Sequence, residues 1–85
     1  MTIELLYFAW VRERIGKASE TVSPPATVGT VAALVDWLAE GSDAHAAAFA
    51  DRTRLRAAVD QVFVALDAPI GTAREVAIFP PVTGG

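Results

Sequence analysis

The chain has 85 residues, 53% of them apolar, and a formal net charge of −3. That length holds one domain with a modest core, and the apolar content argues against disorder. The acidic balance speaks against nucleic acid or an anionic membrane as partner, and the absence of cysteine rules out a disulfide framework or a thiolate-held metal.

Taken in chain order, Thr2 to Phe8 is rich in β-formers and predicts a strand. No apolar run of 18 residues occurs, and Met1 leads into this strand with its Glu4 instead of a basic leader, so a cytoplasmic location is expected. Arg12 to Lys17, with Gly16, predicts a turn, and Ala18 to Val22 the second arm of a hairpin closed by Ser23-Pro24-Pro25. Thr27 is placed to cap a helix whose inner face is Val28, Val31, Leu34, Val35 and Leu38, with Gly41 just past its end. Ser42 to Ala50, alanine-rich and capped by Asp43, predicts a short second helix. Gln61 to Leu66 is a strand, Asp67-Ala68-Pro69 a turn, a short strand follows, and Glu75 to Phe79 is the last strand. One amphipathic helix can cover only one sheet face. The expected fold is therefore α+β, a two-layer β-grasp (ubiquitin-like) arrangement: a mixed sheet of about five strands, one main helix and a short second one. A β-grasp domain is assigned to 1–79 and an extended tail to 80–85.

Strand alternation carries a functional hint. Ile3, Leu5 and Tyr7 share a face with Val62, Val64, Val76 and Ile78 under the helix, because Glu4, Gln61 and Glu75 belong in water. The wet face then also holds Leu6, Phe8, Phe63 and Phe79, an apolar patch of the kind that anchors a protein partner.

The tail is the second hint. In Pro80-Pro81-Val82-Thr83-Gly84-Gly85 two prolines hold the chain extended, and two residues without Cβ leave the final carboxylate bare. Fully extended, these residues would reach roughly 20 Å at ~3.3 Å each, a form suited to threading a carboxylate into another protein's active site. Other catalytic constellations are not evident. His45 is the only histidine, sits among alanines and is expected on a helix or at the surface without a partner; Asp60 and Asp67 suit turns, and Ser23 and Ser42 have no base beside them. Trp10 and Trp37 could bind a ring, though Trp37 suits packing at a helix flank. The reactive group is therefore expected to be the carboxyl of Gly85, a poor electrophile until another enzyme activates it, most simply as an acyl-adenylate made with ATP. Once activated it could be joined to an amine or to sulfur.

Three stretches carry a specific resemblance: Tyr7-Phe8-Ala9-Trp10-Val11-Arg12-Glu13, Leu55-Arg56-Ala57-Ala58-Val59-Asp60-Gln61, and Glu75 through Phe79-Pro80-Pro81-Val82-Thr83-Gly84-Gly85. They resemble the small subunits of molybdopterin synthase, sulfur-carrier proteins of molybdenum cofactor biosynthesis with the ubiquitin-like β-grasp fold. The resemblance runs the full length; Asp60 stands where that family usually has Asn, and Thr72-Ala73-Arg74 where it has Asp-Gly-Asp. It implies that a ubiquitin-activator-like enzyme adenylates Gly85 with ATP and that a sulfur donor protein converts it to a thiocarboxylate. The tail then enters the synthase large subunit and gives its sulfur to a cyclic pyranopterin monophosphate, building the dithiolene of molybdopterin. It further implies a heterotetramer, an interface containing Phe8, Arg12, Phe63 and Phe79, a subunit non-catalytic by itself, and no bound cofactor or metal. Two alternatives share the tail chemistry: a carrier for another pathway such as thiamine synthesis, and a ubiquitin-like modifier joined to lysines.

Overall fold

The structure, a computed structural model, describes residues 2–81. Five strands form one mixed sheet in the order β2-β1-β5-β3-β4. They are β1 (Ile3–Tyr7), β2 (Ser19–Val22), β3 (Arg56–Val59), β4 (Val62–Val64) and β5 (Glu75–Phe79). β1 and β5 run parallel, and the other pairings are antiparallel. Helices α1 (Ala9–Ile15), α2 (Val31–Gly41) and α3 (Asp43–Ala48) supply the second layer, and a 3-10 turn at Arg52–Arg54 leads into β3. The expected β-grasp arrangement of five strands is present, with one helix more than the sequence suggested; the short strand expected between Pro69 and Glu75 is absent, 70–74 being turn and loop, and the fifth strand is β3.

The core follows from period two on the strands and from heptad-like spacing on α2. Ile3, Leu5, Tyr7, Val76 and Ile78 are buried beneath Val31, Leu34, Val35 and Leu38, with Phe49 and Leu55 closing the end. The helix begins three residues later than expected. Val28 N–H donates to the Pro25 carbonyl in a turn, Ile70 N–H donates to the Gly29 carbonyl, and Thr30 forms a bridge with Pro69. Thr30, not Thr27, is the cap, its Oγ1 accepting from Ala33 N–H at 3.1 Å. The next free amides of α2 donate to loop carbonyls, Val31 to Ala68 and Ala32 to Leu66. Gly41 is the last helical residue, and Ser42, not Asp43, caps α3 by accepting from His45 N–H.

Two elements differ from expectation more deeply. Residues 12–17 are not a turn: α1 buries Val11 and Ile15 one helical turn apart and stops where Gly16 adopts φ 92° and donates to the Arg12 carbonyl. The stretch 56–59 is a strand, its small Ala57 and Ala58 buried between β5 and β4. It turns into β4 through Asp60 and Gln61, both at positive φ (48° and 71°), as a two-residue hairpin with right-handed strand twist requires. Asp60 also fastens the turn to β5, its Oδ1 accepting from Arg74 and Glu75 N–H. Val62 was expected beneath the helix but is 63% exposed, because β4 is an edge strand that the helical layer does not reach at this residue.

His45 is on a helix but has partners. It is buried on α3, and its Nε2 lies 2.6 Å from Glu20 Oε2, which also accepts from the Tyr7 hydroxyl at 2.6 Å. This three-way contact ties β1, β2 and α3 together. Burial first, then the hydrogen bond and charge of Glu20, raise Tyr7 well above the ordinary tyrosine range. Burial would raise Glu20 as well, but the hydrogen bonds from Tyr7 and His45 and the charges of His45 and Lys17 together hold it below the usual 4.5. A depressed carboxyl pKa stabilises the fold above the ordinary value, and that contribution is lost as pH falls through the folded value. Glu20→Gln is therefore expected to cost about 1–3 kcal/mol at neutral pH and to melt with a flatter acid dependence than the parent. Thermal melts between roughly pH 3 and 7 check this; parallel acid profiles for the two proteins would show that Glu20 does not carry the effect.

Candidate functional site

The sheet face away from the helices is built from a row of cross-strand partners: Leu6 beside Ala77, Ala77 beside Ala58, Ala58 beside Phe63. Alternation puts these four opposite the core face, as strand parity predicted for Leu6 and Phe63. The two alanines in the middle make the row concave. Phe79, at the end of β5, stands at the rim, with Phe63 on one side (ring centroids 5.6 Å, 47°) and Phe8 on the other (6.5 Å, 77°). Phe63 is 78% exposed and Phe8 46%, whereas Phe79 is half-buried between them.

Phe8 is held on this face by backbone geometry. Extended itself (φ −132°, ψ 155°), it is followed by Ala9 at φ 53°, a left-handed conformation uncommon for a residue with a Cβ. The chain thereby bends into α1 while Phe8 remains beside Phe79. The result is a groove of ≈ 650 Å³ whose apolar wall is Leu6, Phe8, Phe63 and Phe79, with Gln61 and Glu75 at its polar end. Pro80 and Pro81 line it as well, so the tail begins inside the aromatic cluster. Arg12 is exposed one helical turn beyond Phe8, and Arg56 pairs with Phe79 across β3 and β5 and borders the same rim.

Phe8, Phe63, Phe79, Pro80 and Pro81 are thus brought together, with Arg12 at the flank. Val82, Thr83, Gly84 and Gly85 lie outside the described residues. The small floor residues Ala58 and Ala77 and the kinked Ala9 were not singled out from sequence; the signal was a pair of alanines in strand register beneath three phenylalanines. Trp37 packs against the core, as expected for a helix flank. Trp10 is also partly packed, with the guanidinium groups of Arg14 and Arg54 over its ring. The groove presents apolar surface and aromatic anchors, which suits protein recognition. Among the described residues no group of three or more His, Cys, Asp or Glu could hold a metal ion. No helix among them is long and apolar enough to cross a membrane.

Residues 5–85 match the ThiS family. The chain belongs to this family. Among its relatives, the molybdopterin synthase sulfur carrier subunit of Escherichia coli (strain K12) is 46% identical over 83 residues, covering 98% of this chain and 99% of that one. The protein of the same name from Mycosarcoma maydis is 36% identical over 88 residues, covering 99% and 94%. Among solved structures, small archaeal modifier protein 1 of Haloferax volcanii superposes with a TM-score of 0.69 at 26% identity, covering 95% of this chain and 98% of that one. One chain of the protein–protein complex of subunit 1 and 2 of molybdopterin-converting factor from Helicobacter pylori 26695 gives a TM-score of 0.63 at 14% identity, covering 100% of this chain and 100% of that one, a likeness of fold alone.

Proposed function

We propose that this chain is the sulfur-carrier subunit of a molybdopterin synthase. The observation that carries the proposal is the exposed phenylalanine groove at the root of the proline stem, on a chain 46% identical over its length to a sulfur carrier subunit. A groove beside a tail lets one partner bind the domain and receive the tip in a single docking event. The partner is the synthase large subunit, and two copies of each form a heterotetramer. The domain does no bond-making by itself; it positions Gly85. A ubiquitin-activator-like enzyme transfers AMP from ATP to the Gly85 carboxylate, with pyrophosphate leaving. A sulfur donor protein then replaces AMP by sulfur. The thiocarboxylate enters the large subunit, its sulfur bonds to cyclic pyranopterin monophosphate, and water cleaves the bond between that sulfur and the Gly85 acyl carbon, returning Gly85 as carboxylate for another round. The work takes place in the cytoplasm, with no cofactor held by the chain.

The fold likeness to an archaeal modifier protein favours a second reading, in which the activated Gly85 is joined to lysines of other proteins. A blot of cell extract separates the two. A carrier gives one band at the size of the free chain and copurifies with a large subunit, whereas a ladder of larger adducts without that subunit would favour the modifier.

The stem makes a prediction of its own. Replacing Pro80 and Pro81 by Gly is expected to weaken large-subunit binding by about 4- to 30-fold, because each proline removes about 0.4–1 kcal/mol of chain freedom that must otherwise be lost on insertion. Calorimetric titration measures it. Unaltered affinity would mean that the prolines serve only to end β5.

A further inference from the structure

Five of the seven cationic side chains of this acidic protein fall in two short segments: Arg12 and Arg14 on α1, and Arg52, Arg54 and Arg56 in the run entering β3. The fold joins these segments at the end of the sheet from which the tail leaves. α1 follows β1 directly, and Arg56 stands opposite Phe79, the residue before the stem. Trp10 is the link. The guanidinium carbon of Arg14 lies 5.2 Å from its ring centroid and that of Arg54 5.1 Å. Cation–π attraction holds both arginines to the half-buried ring, so two like charges are gathered at one place.

The protein's own carboxylates leave these charges available. Arg52 is paired with Asp36. Asp51 lies near enough to Arg54 to feel its charge, but its Oδ1 accepts from the Thr53 amide and hydroxyl. Among the described residues, neither Arg14 nor Arg54 makes an ion pair. A guanidinium lying over an aromatic ring keeps its in-plane N–H donors for a carboxylate fork, and it loses little freedom when that carboxylate arrives.

We propose that Arg14, Trp10 and Arg54 form a second docking point, beside the phenylalanine groove, for a carboxylate-rich rim on the synthase large subunit. This rests on the carrier reading above. The groove supplies apolar contact, and the arginine pair supplies orientation. A chain of net charge −3 approaching an acidic rim would be turned away everywhere except at this cationic end, which brings the stem to the partner first.

The test is the association rate of the full-length chain with purified large subunit at about 0.05 and about 0.5 M NaCl, where screening changes several-fold in range. The double variant R14E/R54E is expected to associate ~10-fold or more slowly at low salt and to converge on the parent at high salt. R14Q/R54Q should fall between the two, and Phe63→Asp should lose affinity at both salt concentrations. All variants are checked for parental circular dichroism; Arg14 and Arg54 are exposed. Parental salt dependence in R14E/R54E would overturn this inference alone. Failure of the parent chain to bind the large subunit at either salt would overturn the carrier reading and this inference with it.

Discussion

Phe63→Asp is expected to keep the fold and lose the partner. Phe63 is 78% exposed in the middle of a three-residue edge strand, so its ring adds little to the core. A substitution at such a position usually changes stability by no more than about 0.5 kcal/mol. At the centre of an interface the same ring is a different matter. Aromatic anchors of this kind contribute about 2 kcal/mol or more, roughly 30-fold in Kd, and a buried unpaired carboxylate adds its own desolvation penalty. Phe49→Ala is the contrasting control: fully buried against Tyr7 and His45, it should cost about 3–5 kcal/mol of stability. Titration calorimetry and thermal melts separate the two outcomes. Unfolding of Phe63→Asp would place its ring in the core, and unchanged affinity would remove the groove from the interface.

The second large effect concerns the tail tip. Deleting Gly85, or adding one residue after it, is expected to abolish sulfur transfer while leaving the domain folded and bound. The fold is spared because its core ends at Ile78 and its sheet at Phe79. Binding is spared because the groove lies upstream of the change. Transfer fails because the reacting carboxyl is moved by a whole residue, when a misplacement of ~1 Å can already cost ~100-fold in rate. A reconstituted synthase reaction with each variant provides the measurement. Full transfer by the deletion variant would reduce the tail to a docking peptide.

The fold and much of the site were legible because they rest on periodicities. The alternation of Ile3, Leu5 and Tyr7 against Glu4, and of Val76 and Ile78 against Glu75, is enough to put the phenylalanines on the open face. The spacing of Val31, Leu34, Val35 and Leu38 located the helical layer. What escaped was set by tertiary context. Ala57 and Ala58 have weak β-propensity, and their strand exists because neighbours on both sides supply its hydrogen bonds. Helix α1 is seven residues long and needs Ala9 at φ 53° to begin, a backbone state that no pattern reveals. The partners of His45 come from strands 25 and 38 residues away in sequence. Likewise, Trp10 is a candidate to bind a ring on sequence alone, and only the fold carries Arg54 to it.

The central claim is that Gly85 is the group that carries sulfur, and intact-protein mass spectrometry tests it most directly. The full chain is incubated with ATP, the activating enzyme and a sulfide source, then weighed and fragmented. The expected product is heavier by one oxygen-to-sulfur exchange, located at the C-terminal glycine and formed only when ATP is present. An unchanged mass, or sulfur found at any other residue, would contradict it.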